Sequence, residues 1–330
     1  TVGVINSRGE WIIKPEFSSV SGPFNGMFRV EQNERYGLID GSGKSLTAIV
    51  YDEIEPFNEG LAAVARDGLT GFVDSTGKES IALQYEEVNN FNAGVARIKQ
   101  DGKYGLINRS GTILIAPEHN RISVPAEQLI LVSNDGDCGY YNLAGKKEIS
   151  LSESCPSSDL NNNNFSCGLA RLSKKGKYGF INKKGTWTIS AQFDDVSQFS
   201  EDIAAFKEKG KWGLIDKNGK RICDAQYDAV LPFENGIARV KKSGNWGFVN
   251  SKGAEVIKPT QLSIEQHVAL LISEDKNSKF GVYESSGNVL IPFDFDEIRW
   301  VKELSAFELL KDGKMGWYNL NSKKIVWSEH

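Results

Sequence analysis

The sequence predicts an all-β fold built as a tandem array of about ten three-stranded repeats of ~34 residues. Three observations predict it. Anchor glycines run from Gly3 and Gly37 through Gly139, Gly179 and Gly213 to Gly316, spaced by 34 residues except for one interval of 40 and a last one of 35. A turn glycine follows six residues after each anchor, from Gly9 to Gly287, and only Ser322 breaks that series. Asn or Asp stands three residues after each anchor, from Asn6 and Asp40 to Asn319, with Glu284 the exception. A fixed period of this length, held in several columns at once, is the signature of a repeat architecture.

The stretch from Trp212 to Asn245 shows how one unit reads. Trp-Gly-Leu-Ile-Asp alternates large and small side chains and predicts a strand. Asp216 suits the first position of a type I turn, and Gly219 suits the left-handed residue that closes a hairpin with a bulge. A short strand follows around Lys220 to Cys223. The next residues, Gln-Tyr-Asp-Ala-Val-Leu-Pro-Phe, predict an irregular connector anchored by Tyr227 and Phe233. After the Glu-Asn-Gly turn, Ile237 to Lys241 alternates apolar and polar residues and predicts the third strand.

The array is expected to form a single domain over 1–330, because repeat units pack only on their neighbours and escape the usual domain-size limit. An open, twisted β-solenoid is the expected arrangement. The chain starts and ends on the same hairpin and offers no spare strand to complete a ring. A closed β-propeller is the alternative. The chain opens inside a unit without an initiator Met, which points to a cleaved leader or a trimmed end. The six-residue surplus falls after Gly139, giving an inserted loop at 155–167 with a polar tip at Asn161–Asn164. Insertion, mobility or function is expected there.

The formal charge of −4 carries no nucleic-acid footprint. No apolar run approaches the ~18 residues of a membrane-spanning helix. Four cysteines are present, and Cys155 and Cys167 bracket the inserted loop, where a disulfide would stiffen it. The competing reading is two free thiols in the cytosol. Cys138 fills a slot normally held by Tyr or Trp and reads as core, as does Cys223.

The Trp-Gly pairs at Trp212-Gly213 and Trp246-Gly247, the Asx-x-x-Gly-Lys turn, the Tyr-Asp-x-Val connector and the Phe-x-x-Gly-x-Ala-x-Val strand resemble the bacterial WG-repeat family over essentially the whole chain. The pattern departs at 117–168 and 258–280. The resemblance implies an all-β scaffold, and some relatives look like interaction modules beside secretion or toxin loci. It therefore implies a toxin-neutralising immunity protein or an envelope adaptor, periplasmic or secreted, with another protein as partner. It supplies no catalytic residues.

Chemistry read from the residues is sparse. Gly41-Ser42-Gly43-Lys44-Ser45 ends like a phosphate-binding loop, but Leu38 stands where that motif needs glycine, so the hairpin reading wins. His119, His267 and His330 are isolated, so no metal site and no cofactor are expected. Acidic pairs such as Asp52-Glu53, Glu86-Glu87, Asp194-Asp195 and Asp296-Glu297 read as turn acceptors rather than a cation ladder. No catalytic constellation stands out, and the protein is expected not to be an enzyme. Arg29, Arg97, Arg171 and Arg239 occupy the middle of the Ala-x-Val strand in alternate units, a column suited to an acidic protein surface. Trp11 and Trp187 sit at an otherwise polar slot two residues after a turn glycine, as protein hot spots or as sugar-stacking platforms. A non-enzymatic protein-binding scaffold is the expected function. A glycan- or cell-wall-binding module is the alternative.

Overall fold

A computed structural model describes the chain except for residues 135, 152–154, 157–158, 268–269, 321 and 329–330. His330, and Ser157 and Ser158 of the inserted loop, thus lie outside the described residues. Among the described residues the chain forms ten antiparallel sheets, each a meander of strands consecutive in sequence. The only helical elements there are two short 3-10 turns, Leu160–Asn163 and Lys302–Leu304. No helix of the described residues is long and apolar enough to cross a membrane.

The hairpin at the centre of each sheet forms as its residues dictate. In the seventh sheet Ile203–Glu208 pairs with Lys211–Asp216, which pairs with Arg221–Tyr227. Asp216 opens the turn between the last two strands. Its Oδ1 accepts the backbone N–H groups of Asn218 and Lys220, each at 2.9 Å, and Gly219 closes the turn at φ +79°. The same pair of side-chain bonds recurs at Asp40, Asp74, Asn108, Asn142 and Asn250. The anchor glycine has a different cause. The following strand bulges across it, so a Cβ on Gly213 would stand 2.7 Å from the carbonyl oxygen of Cys223. No side chain fits there.

Two sequence expectations change. The connector is not wholly irregular. It holds a two-residue edge strand, such as Asp195–Val196 or Ala229–Val230, so most sheets have four strands rather than three. The strands are also not amphipathic in the simple sense. Leu61–Arg66 is buried at its first four positions, because Ala62 and Val64 pack toward the second sheet while Leu61 and Ala63 pack toward the fourth. Each pair of neighbouring sheets within a unit thus has its own core.

The chain divides into two compact units, Thr1–Asn164 and Phe165–His330. The boundary falls at the insertion. Among the described residues the sixth sheet there has three strands, without the short edge strand of its neighbours.

The expected Cys155–Cys167 disulfide is not formed. Cys155 bonds Cys138 instead, with Cα atoms 5.6 Å apart, and Cys167 is a free thiol. The reason lies in the strand register. In regular sheets the residue before the anchor glycine pairs with the end of the next strand, as Trp212 does with Tyr227 and Tyr178 with Phe193. In the fifth sheet that next strand stops at Ser150, and Leu151 N–H still donates to Cys138 O at 3.0 Å. The returning chain therefore passes beside Cys138. Cys167 belongs to the next unit, in the Phe-x-x-Gly turn of the sixth sheet, at φ +54°.

Candidate functional site

The arginine column lies in the strand that opens the central hairpin of alternate sheets, but it is not an open surface. Each guanidinium lies over the ring that precedes an anchor glycine: Arg29 over Tyr36 at 5.2 Å, Arg97 over Tyr104 at 4.9 Å, Arg171 over Tyr178 at 4.5 Å and Arg239 over Trp246 at 4.8 Å. Each also reaches the edge strand of the following sheet. Arg29 donates to Ile54 O at 2.9 Å, Arg97 to Ile122 O at 3.0 Å, and Arg239 to Ile264 O. Arg171 pairs with the Asp195 carboxylate at 2.9 Å. All four are half-buried staples between successive sheets of one unit. In the odd sheets between them the same position is Ala63, Leu131 or Ala205, all buried. The two-unit period in the sequence thus alternates an apolar contact with a cationic one.

The acidic pairs are equally structural. Asp194 accepts Lys177 Nζ at 2.6 Å and the backbone N–H of Lys209 at 2.9 Å. Asp296 does the same with Lys279 and Asp312. The lysine hydrogen bond is the main cause that holds both carboxyls below the usual carboxylate range. Among the described residues no group of three or more His, Cys, Asp or Glu converges as a cation site. His119 ends the last strand of the fourth sheet, and burial lowers its pKa. Trp11 is 56% exposed, whereas Trp187 is half-buried opposite Ile181. They lie on different units, so the pair is not assembled into one platform by either.

The feature that stands out is a groove in the first unit, between the fourth and fifth sheets. It has two lobes that share Arg97 and Ser123. One lobe, of about 290 Å³, is walled by Arg97, Tyr104, Arg121, Asp159 and Asn161. The other, of about 330 Å³, is rimmed by Asn58, Asn89, Asn90 and Asn92 over a floor that includes Phe91, Val95 and Leu106. The insertion builds one wall. Asn161 Oδ1 accepts the Val124 N–H at 3.0 Å, and Asn164 Nδ2 donates to Val124 O at 3.2 Å. Tyr140 Oη donates to Asn163 O, which fixes the 3-10 turn. The expected polar loop tip is therefore docked, with Leu160, Asn163 and Asn164 buried.

Arg97 divides the lobes, held by Ile122 O and by Asn89 Oδ1, which accepts its Nε at 2.8 Å. Arg121 donates to Pro156 O at 2.9 Å. Ser123 Oγ donates to Val124 O and accepts the Leu131 N–H, so it is a structural hydroxyl rather than a poised nucleophile. The arrangement offers amides, guanidiniums and apolar floor, which is the chemistry of recognition.

Of the arginines and tryptophans singled out in sequence, only Arg97 lines this groove, joined by Asn161 from the tip of the inserted loop. The asparagines were masked by their fitness for turns, since Asn58 and Asn92 follow the Phe of a Phe-x-x-Gly turn. Arg121 carried a readable signal. It stands sixteen residues after its anchor, where Glu53, Glu87 and Asp195 stand in other units, so the acidic column changes sign there.

No curated protein matches the chain. Among solved structures, a crystal structure of a eukaryotic initiation factor is 10% identical with a TM-score of 0.45, covering 99% of this chain and 96% of that one. BamB from Moraxella catarrhalis is 10% identical with a TM-score of 0.37, covering 83% and 95%. The computationally designed Ika8 protein is 13% identical with a TM-score of 0.39, covering 81% and 96%. None of these likenesses is close enough for a shared function to follow. The WG containing repeat family, by contrast, matches residues 3–36, 36–69, 71–104, 104–137, 178–212, 212–246, 246–260 and 280–314. The chain belongs to the WG containing repeat family.

Proposed function

We propose that the protein is a non-enzymatic scaffold that binds another protein. The observation that carries this reading is the groove at the insertion. The repeat's regular connector is abandoned there, and the substitute residues line a recessed, hydrogen-bonding surface instead of a core. Clefts with an apolar floor and a few convergent polar groups are the usual form of a binding site. A toxin-neutralising immunity protein or an envelope adaptor is the sharpest version, and it rests on the family resemblance. The Cys138–Cys155 pair supports a periplasmic or secreted location, since disulfides persist in oxidising compartments. The open array remains our reading of the repeat, and small-angle scattering that fits a closed ring would replace it.

The test is capture of binding material by the whole protein from its source organism, followed by mass spectrometry and titration of the purified partner. One protein held in stoichiometric amount supports the scaffold. Retention on cell-wall polysaccharide with no protein partner would favour the glycan module, with exposed Trp11 as its first suspect. Turnover of a substrate by the purified chain would refute the non-enzymatic reading.

A further inference from the structure

We propose that the chain associates with a second copy of itself, the basic hairpin tips of one copy's second unit meeting the acidic hairpin tips of the other copy's first unit. This goes beyond the scaffold reading and does not rest on it.

The two units are built from the same repeat and differ in charge. Residues 1–164 hold 22 Asp and Glu against 14 Lys and Arg, whereas residues 165–330 hold 21 against 25. The difference reaches the tips of the central hairpins. In the second, third, fourth, sixth and seventh sheets the tip is a two-residue turn whose first residue has positive φ. Asn and Asp suit that place, because a short polar side chain tolerates the left-handed region. The first unit follows this preference, with Asn33, Asp67 and Asp101 at φ +53°, +53° and +50°. The sixth and seventh sheets instead carry Lys175 and Lys209, at φ +54° and +49°. Asp returns in the tenth sheet, at Asp312. Aspartate at a tip is explained by the turn alone. Lysine is not, since it bears the backbone strain and gains no local hydrogen bond in return.

Both lysines are exposed, and among the described residues neither has an ion pair. The carboxylates nearest to them in the fold are engaged elsewhere: Asp194 with Lys177 at 2.6 Å, Asp228 with Lys211, and Glu208 with Arg221. On the first unit Glu34, the second tip residue of its sheet, and Asp101 are exposed and equally without an ion pair among the described residues. Asp67, with its side chain 77% exposed, meets Arg35 at 3.5 Å.

The two rows match in spacing as well as in sign. Lys175 and Lys209 stand 34 residues apart, as do Asp67 and Asp101, on hairpins of the same strand lengths and register. One repeat therefore sets the pitch of both rows, and a basic row on one copy can meet an acidic row on another tip for tip. An unrelated acidic protein would match the charge without that pitch. Each copy carries one row of each sign, so the association needs no third component. Exposed ion pairs are individually weak and screened by salt, so it is reversible and shows itself at high protein concentration and low ionic strength.

Sedimentation velocity of the whole protein at about 200 µM, in about 50 mM and about 500 mM salt, reads this association. Larger species are expected at the lower salt and should be lost at the higher. Lys175→Asp with Lys209→Asp gives both turns the residue they prefer. The melting of Phe165–His330 should therefore hold or rise while self-association weakens at least tenfold. Asp67→Lys with Asp101→Lys should weaken it as much from the other side. An equimolar mixture of the two double variants presents complementary rows again, and association is expected to return in the mixture alone. An unaltered chain that stays monomeric at low salt, association that survives either double variant, or a mixture that stays monomeric overturns the proposal.

Discussion

The seventh and eighth sheets and the fifth sheet with its insertion are built from the same hairpin and finished in opposite ways. In the seventh sheet the last strand runs seven residues, Arg221–Tyr227, and ends with Tyr227 buried beside Trp212. Asp228 then bonds Lys211, and Phe233 closes the core beneath. In the fifth sheet the last strand runs four residues, Lys147–Ser150. A disulfide to Cys138 takes over from the aromatic pair, and Tyr140 fastens the 3-10 turn. The central hairpin is common to both because backbone geometry dictates it. The connector is free to differ because it only has to end at the next sheet, and that freedom is where the groove arises.

The largest test of this comparison strikes what the two regions share. Alanine at Gly213 puts a Cβ 2.7 Å from Cys223 O and 2.7 Å from the Phe206 ring, and alanine at Gly139 puts one 2.3 Å from Ile149 O. Both contacts lie far inside van der Waals distance, so the crossing strand must move. Each substitution should cost about 3 kcal/mol, or a fall of about 10 °C in the melting of its own unit. Calorimetry of the two variants checks this. A mild effect at Gly139 alone would mean that the fifth sheet does not share the regular geometry.

The next test strikes what differs. Opening the Cys138–Cys155 bond, by reductant or by Cys155→Ser, releases a link between residues 17 apart. Loop closure of that size is worth about 3 kcal/mol. The loss should appear in the melting of Thr1–Asn164 and leave Phe165–His330 unchanged. Equal melting with and without reductant would show that the pairing is not made.

A smaller effect is expected from the staples. Arg239→Ala leaves the carbonyl of buried Ile264 without that donor and uncovers one face of Trp246. The loss should be about 1–2 kcal/mol, read as a shift in the urea midpoint. Arg239→Lys should recover only part of it, because an ammonium cannot lie flat on the ring while reaching the carbonyl. If Arg239→Ala is neutral while partner binding is lost, the column is a binding surface after all.

How far the sequence revealed all this follows from the same division. The hairpins were legible because Asx turns and crowded glycines tolerate almost no substitution, so they leave a fixed mark such as Asp216 and Gly219. The edge strands were missed because two residues, as in Asp195–Val196, are too few to show a period. The arginines were found for the wrong reason. Alternation places Arg97 on a strand face, but only the stacked sheets show that this face looks at a neighbour and not at water. The disulfide was missed because Cys138 was assigned to the aromatic slot it replaces. Of the groove, Arg97 stood out by its column and Asn161 by its place at the inserted loop tip; the sign change at Arg121 was there to be read and was passed over, whereas Asn89 and Asn90 look like any turn.

The smallest expected effect concerns acid, and it again separates the two regions. In the regular sheets Lys177 with Asp194, Lys211 with Asp228 and Lys279 with Asp296 each hold a carboxyl below its usual range, chiefly through the lysine hydrogen bond. Where the fourth sheet leads into the fifth, the matching position is Asn120, which cannot titrate, and its lysine, Lys103 of the fourth sheet, bonds a neutral amide. A carboxyl whose pKa is depressed on folding adds stability that is fully present above the unfolded value near 4 and is lost as pH falls through the folded value. The melting of Phe165–His330 should therefore decline from about pH 4 downward. These pairs face solvent, so each step is small and shrinks further in salt. Asp194→Asn should flatten part of that slope without altering the melting of Thr1–Asn164. A slope unchanged by Asp194→Asn would mean that the ion pair contributes nothing and that the backbone N–H of Lys209 alone holds the connector in place.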